Sequence, residues 1–255
     1  MPEGDTLART AAGLRPVLVG RRIVAARARV PGPQVQRVVG ATVTAVDATG
    51  KHLLIRFGNG LEIRTHLGMH GSWHRYRSGE AWRRPRARAT LVLEVPDAVA
   101  VCFDAPVVEL FEQRIESIHP ALSRLGPNLL DEPWDEAEAL RRLRDRARAG
   151  RAIAEALLDQ RALAGIGNEV KNETLWDASR SPFTAVAEID EVALRDLIRI
   201  ARRILREGAA TGRRPRHVQR RAGRPCARCG TAIRVAHQGT DLPRLTFWCP
   251  SCQAR

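Results

Sequence analysis

Lysine is almost missing from this 255-residue chain, in which Lys51 and Lys171 are the only two although Lys and Arg together number 42. The basic charge is therefore nearly all guanidinium, and each remaining lysine is a candidate for a specific task. No apolar run approaches the roughly 20 residues that a bilayer-spanning helix needs, so no membrane partner is expected. Residues 1–15 include Glu3, Asp5, Arg9 and Arg15 and hold no apolar core, so a secretory signal is not expected either. A cytoplasmic chain with reduced thiols follows from that reading. Internal repeats and long low-complexity tails are lacking as well.

What is present points to a polyanion. The 28 acidic residues leave a net charge of +14, and the 44% apolar content is enough for one large domain or two ordinary ones. The five cysteines are unevenly placed. Cys226-Ala-Arg-Cys229 and Cys249-Pro-Ser-Cys252 form two C-x2-C pairs, each able to turn two thiolates toward one tetrahedral ion, so one structural Zn²⁺ is expected. Between them, Ile233 to Val235 alternates, Gly239-Thr-Asp241 reads as a turn, and Leu245 to Trp248 returns: a β-hairpin. The competing reading, two disulfides in a secreted protein, is opposed by the missing signal. Cys102 lies in the apolar run Val99 to Phe103 and reads as a buried strand residue without chemistry.

The layout is α+β and multidomain. Asp5 or Thr6 is expected to cap a first helix whose inner face carries Leu7, Ala11, Leu14 and Leu18. Short β-rich runs follow at Ile23–Val30, Ala41–Asp47, His52–Phe57, Leu61–His66, Thr90–Val95 and Val99–Phe103, an antiparallel sandwich in outline. After a break near Gly126-Pro-Asn128, helices are expected over Glu136–Arg148, Ala152–Arg161, Asn168–Ala178 and Glu191–Glu207. A basic linker from Gly212 to Arg224 leads to the hairpin. The expected domains are 1–120, 132–212 and 220–255.

Four motifs could carry chemistry. Removal of Met1 before Pro2 would free a secondary amine, which titrates at about 8 and is partly unprotonated near neutrality. The positive end of the first helix would lower that value further. Such an amine can attack a sugar C1′ and form an iminium, which is an electron sink for elimination. Glu3 beside it could shuttle protons. Lys51, at a turn before a strand, is well placed to meet a phosphate. Leu163-Ala-Gly165-Ile-Gly167-Asn168 gives a tight glycine turn between helices, with Asn168 expected as the N-cap of a helix end that favours a phosphate and Glu173 facing back toward it. Arg244, within the hairpin, could make a bidentate phosphate contact. Each motif alone is more often a solvated terminus, a surface charge or an ordinary helical turn.

Together and in this order, Pro2-Glu3-Gly4, Gly50-Lys51, Gly165-Ile-Gly167-Asn168 and Arg244 ahead of Cys249-Pro-Ser-Cys252 resemble the bacterial formamidopyrimidine-DNA glycosylase/endonuclease VIII family over essentially the whole chain. The resemblance implies an N-terminal helix plus antiparallel β-sandwich, a helix–two-turn–helix domain and a C-terminal β-hairpin zinc finger. It implies a monomer that binds double-stranded or bubble DNA, bearing oxidised bases or abasic sites, in a cleft between its halves. It also implies base excision: Pro2 attacks C1′, the base leaves, and β,δ-elimination nicks the strand. Glu3 would then carry the proton, Lys51 would bind a phosphate and donate a proton, and Asn168 and Arg244 would clamp phosphates.

Within that family, Pro2-Glu3-Gly4, Asp5-Thr6 and Gly71-Ser-Trp73 look most like the actinobacterial endonuclease VIII subgroup, which points to oxidised pyrimidines. The purine branch usually has an Arg-Arg-Phe-Gly loop to fill the gap left by a flipped base, whereas Cys102 to Leu110 holds no arginine–aromatic pair. On the other side, His66-Leu-Gly-Met-His-Gly71 resembles that purine branch and makes Met69 a candidate wedge. Two departures touch local contacts only. The hairpin, residues 230–248 between the cysteine pairs, is longer than in better-known members, and Val170 stands where purine-branch chains often have tyrosine. Two rivals remain open: the purine-repair branch, and a zinc-containing DNA binder without catalysis.

Overall fold

The computed structural model describes residues 2–29, 31–239 and 243–254. The chain forms two compact units, Met1–Arg124 and Leu125–Arg255.

The first unit opens with α1 (Gly4–Leu18), whose stripe of Leu7, Ala11, Leu14 and Leu18 is buried. The helix begins earlier than expected. Glu3 is its N-cap, with the Leu7 N–H on the Glu3 carbonyl at 3.1 Å, and Asp5 lies inside the first turn. Eight strands follow: β1 (Ala25–Ala28), β2 (Val43–Thr49), β3 (His52–Phe57), β4 (Leu61–His66), β5 (Ser72–Arg77), β6 (Ala89–Val95), β7 (Ala98–Phe103) and β8 (Val107–Glu112). They pair antiparallel as two sheets, β1-β6-β7-β5 and β2-β3-β4-β8. Leu53, Ile55 and Ile63 of one sheet share a core with Leu91, Leu93 and Cys102 of the other, and α1 packs on β2 and β3. Cys102 is wholly buried, and burial pushes its thiol up to about 12. The expected first strand shortens to β1, and its last residue, Val30, lies outside the described residues. Sequence patterning missed β5 and β8, both at sheet edges, where a strand needs no apolar run.

On β3 and β4, Arg56 faces Glu62 across the ladder and holds Asp47 at 2.7 Å and Glu116 at 2.9 Å. Glu62 is fully buried with Arg56 Nε at 3.2 Å, and burial raises its carboxyl from an ordinary 4.5 to about 7. The folded state thus holds this proton more tightly than the unfolded chain. Stability from this group is fully present below pH 4.5 and is lost as the pH rises through 7. Glu62→Gln, a mimic of the protonated acid, is expected to gain melting temperature over wild type between pH 5 and pH 8. A difference that stays flat over that range would contradict the assignment.

The second unit contains α2 (Glu136–Leu143), α3 (Ile153–Ala156), α4 (Asn168–Asp177), α5 (Glu191–Thr211), β9 (Arg234–Gln238) and β10 (Arg244–Trp248). Asp135 and Asp190 cap α2 and α5 through their side chains, and Gly212 ends α5 at φ +73°. The helix expected over Ala152–Arg161 stops after one turn. Asp159 accepts the Arg161 N–H, and Gln160 bonds both the Gly165 N–H and the Ile166 carbonyl, so side chains replace the helical ladder. Leu140, Leu163, Ile166, Leu194, Leu197 and Ile198 lie in the main core. A second cluster joins α4 to the hairpin through Trp176, Val218, Cys226, Ile233, Phe247 and Cys249. The expected Gly239-Thr-Asp241 turn reaches residues 240–242, outside the described residues. Among the described residues no helix is long and apolar enough to cross a membrane.

Candidate functional site

In the first unit, Pro2 is half-buried at the entry to α1, and Glu3, the next residue, is fully buried at the end of the helix where N–H groups point outward. Lys51 sits in the tight β2–β3 turn, which Gly50 makes at φ +57°. Beneath that turn lies a polar cluster that the sequence reading missed. His52 and His66 are cross-strand partners with rings 5.2 Å apart, and Arg64 donates to His52 Nδ1 at 2.7 Å. Arg64 also binds Glu109 at 2.8 Å, and Glu109 meets His119 at 3.1 Å. Burial, then Arg64, His66, His119 and Lys51, push His52 down to about 3, and His66 is lowered by burial, Lys51 and Arg64. Both rings are therefore neutral near pH 7. The turn Gly58-Asn-Gly60 was the available signal, since pairing outward from it sets His52 opposite His66.

Met69 is 53% exposed on the loop between β4 and β5. That loop is closed by the Gly71 N–H on the Leu67 carbonyl at 2.8 Å, with Gly68 at φ +57°. The β7–β8 turn is only Asp104-Ala-Pro106, and it carries neither arginine nor aromatic side chain.

In the second unit, Gly165 (φ +102°) turns the chain into α4. Gly167 is the N-cap and Asn168 the first helical residue, a correction to the expected cap. The Asn168 amide is used differently: its Nδ2 donates to the Leu245 carbonyl at 2.8 Å, one residue past Arg244. Lys171, buried to 1% exposure, donates to Asn168 Oδ1 at 3.0 Å and to Thr246 Oγ1 at 2.8 Å. The structure thus brings Asn168 beside the strand that begins at half-buried Arg244. Glu173 requires a second correction, because it does not face the glycine turn as a DNA contact. Its buried carboxylate accepts the N–H groups of His217, Val218 and Gln219 at 2.8, 3.1 and 2.8 Å. Burial raises its pKa against the pull of those three bonds.

Cys226, Cys229, Cys249 and Cys252 bring their sulfurs within 4.8 Å of one another without a disulfide. The 3.4 Å Cys229–Cys249 and 3.9 Å Cys226–Cys252 separations bracket the edge of about 3.8 Å that a tetrahedral ion with 2.3 Å bonds to sulfur requires. Trp176 Nε1 donates to Cys226 Sγ at 3.4 Å, while Arg228 lies 3.8 Å over the Trp176 ring. These residues can hold a metal ion.

The fold of this chain is also that of solved formamidopyrimidine-DNA glycosylases. Fpg of Lactococcus lactis, solved with DNA containing an abasic site, superposes with a TM-score of 0.86 at 22% identity, covering 99% of this chain and 100% of that one. Residues 1–106 match the formamidopyrimidine-DNA glycosylase N-terminal domain and residues 125–219 its H2TH domain. A probable endonuclease 8 2 from Streptomyces coelicolor is 39% identical over 100% of this chain and 94% of its own length. A DNA-(apurinic or apyrimidinic site) lyase from Mycolicibacterium smegmatis is 36% identical over 99% of each. The chain belongs to the formamidopyrimidine-DNA glycosylase/endonuclease VIII family.

Proposed function

We propose that this chain is a bifunctional DNA glycosylase and DNA-(apurinic or apyrimidinic site) lyase of base excision repair, acting on oxidised pyrimidines through an N-terminal proline. One observation carries the reading: Glu3, next to Pro2 in the chain, is fully buried at the amino end of α1. An amine and an acid held together there supply a nucleophile and a proton carrier at one point.

With Met1 removed, the Pro2 nitrogen attacks C1′, the glycosidic bond breaks, and the base leaves with a proton. Opening of the sugar gives an iminium, which acidifies the C2′ protons. Loss of one expels the 3′ oxygen, and a second elimination expels the 5′ oxygen. Water then releases the proline. Glu3 carries the protons; Lys51 binds a phosphate and donates to a leaving oxygen. Asn168 and Arg244 clamp the backbone, and Met69 fills the stack. The four cysteines hold one structural Zn²⁺, which fixes the hairpin bearing Arg244. Chemistry belongs to residues 1–120, backbone grip to 132–212 and 220–255. The enzyme works as a cytoplasmic monomer on double-stranded or bubble DNA with oxidised bases or abasic sites.

Exposed Met69 favours the purine branch as a second reading, and competition kinetics separate the two. Thymine glycol or 5-hydroxycytosine is expected to be excised faster than 8-oxoguanine opposite cytosine, with little dependence on the opposite base. Already unpaired lesions should be good substrates because less unstacking is needed. A higher rate on 8-oxoguanine than on any oxidised pyrimidine would move the chain to the other branch.

A further inference from the structure

The β5–β6 loop of the first unit, Trp82-Arg-Arg-Pro-Arg-Ala-Arg88, is rich in guanidinium. Half-buried Arg84 and exposed Arg88 both reach Asp104. Arg84 Nη1 lies 3.1 Å from Asp104 Oδ2, and Arg88 Nη2 lies 2.7 Å from the same carboxylate. Asp104 is a non-glycine residue at φ +52°, a conformation that needs holding by its surroundings. Its own N–H donates to the Arg88 carbonyl at 3.0 Å. The two arginines, Arg88 foremost, lower its carboxyl pKa. The loop itself is anchored by Trp82, which stacks on Tyr76 at 6.1 Å and meets Phe103 edge-on at 5.9 Å.

Arg84 makes a second contact. The same Nη1 reaches the His70 carbonyl, at 3.4 Å, on the loop that exposes Met69. That loop also abuts the β7–β8 turn, where a Cβ added at Gly68 would come within 2.8 Å of Pro106 Cγ. Three loops therefore interlock: residues 67–71, the arginine loop, and Asp104–Pro106. One half-buried guanidinium bridges all three, and Met69 is exposed on the first of them.

We propose that Arg84 is a positioning residue for opening the duplex, bracing the Met69 loop against the Asp104 turn so that Met69 can be driven into the base stack. A thioether on a loose loop would fold back when pressed against stacked bases, because inserting it must unstack a base step. The brace resists that recoil. With only Asp104-Ala-Pro106 in the β7–β8 turn, and Asp104 committed to Arg84 and Arg88, no arginine–aromatic pair is there to share the insertion. The inference rests on the glycosylase reading and adds the element that decides how much the enzyme depends on lesions being unpaired already.

The test compares 5-hydroxycytosine in a duplex with the same lesion in a single strand, measuring kcat/KM for both. Arg84→Met is expected to lower the duplex value about tenfold and to change the single-strand value less than about twofold. Asp104→Asn, which weakens the same bridge from the other side, should shift the ratio in the same direction, and Arg84→Lys should recover part of it. Met69→Ala should lower the duplex value too, and the Arg84→Met/Met69→Ala double variant should lose no more than the larger single loss, as expected for residues acting as one unit. Fluorescence of 2-aminopurine beside the lesion should report less unstacking on binding to Arg84→Met. Unchanged melting temperatures exclude simple unfolding. Equal losses on duplex and single strand, no loss on either, or additive losses in the double variant would overturn the proposal. A wild-type chain inactive on both substrates would instead refute the glycosylase reading itself.

Discussion

Borohydride added to this chain and DNA carrying an abasic site is expected to fix a covalent adduct at residue 2. Reduction converts the iminium to a stable amine, so the cross-link records the nucleophile directly. Pro2→Gly, or retention of Met1, should bring the adduct to background. Retained Met1 turns the Pro2 nitrogen into an amide without basicity, and glycine removes both the secondary amine and the ring that fixes its direction. Peptide mapping settles the assignment. An adduct that survives both changes and maps to Lys51 would assign the attack to the turn lysine.

Glu3→Gln is expected to separate binding from chemistry. The amide has the carboxylate's size and can keep a polar contact at the amino end of α1, so affinity for damaged DNA should stay within a few-fold of wild type. It cannot carry a proton. Base release should fall roughly a hundredfold or more, the usual scale for losing a positioned acid–base group. Single-turnover excision beside a binding titration gives both quantities. Normal excision by Glu3→Gln would reduce Glu3 to a buried helix cap.

Much of the fold was legible because its signals are local. The Leu7, Ala11, Leu14 and Leu18 stripe repeats with the helical period, and both β3 and β4 fall where Gly50 and Gly58-Asn-Gly60 punctuate the chain. The cysteine pairs were legible because a C-x2-C turn needs nothing distant. What escaped depends on partners far along the chain. Edge strands β5 and β8 are defined by the neighbour they pair with, which Ser-Trp-His-Arg-Tyr-Arg77 does not advertise. Asn168 reads as a cap until Leu245 is found beside it. Glu173 reads as facing back toward the glycine turn until three N–H groups of residues 217–219 are found on its carboxylate. The histidines under Lys51 needed the strand register.

Those three N–H groups change what the basic stretch after α5 does. From composition it looks like a flexible tether. Yet Arg214 is paired with Glu169 at 3.0 Å, residues 217–219 end on Glu173, and Gly223 and Arg224 bond to Ile233. The entropy of ordering this stretch is spent when the protein folds, not when DNA arrives. The described strands of the hairpin are therefore held in place before any ligand binds, and on the proposed reading Arg244 and Asn168 need no alignment when DNA arrives.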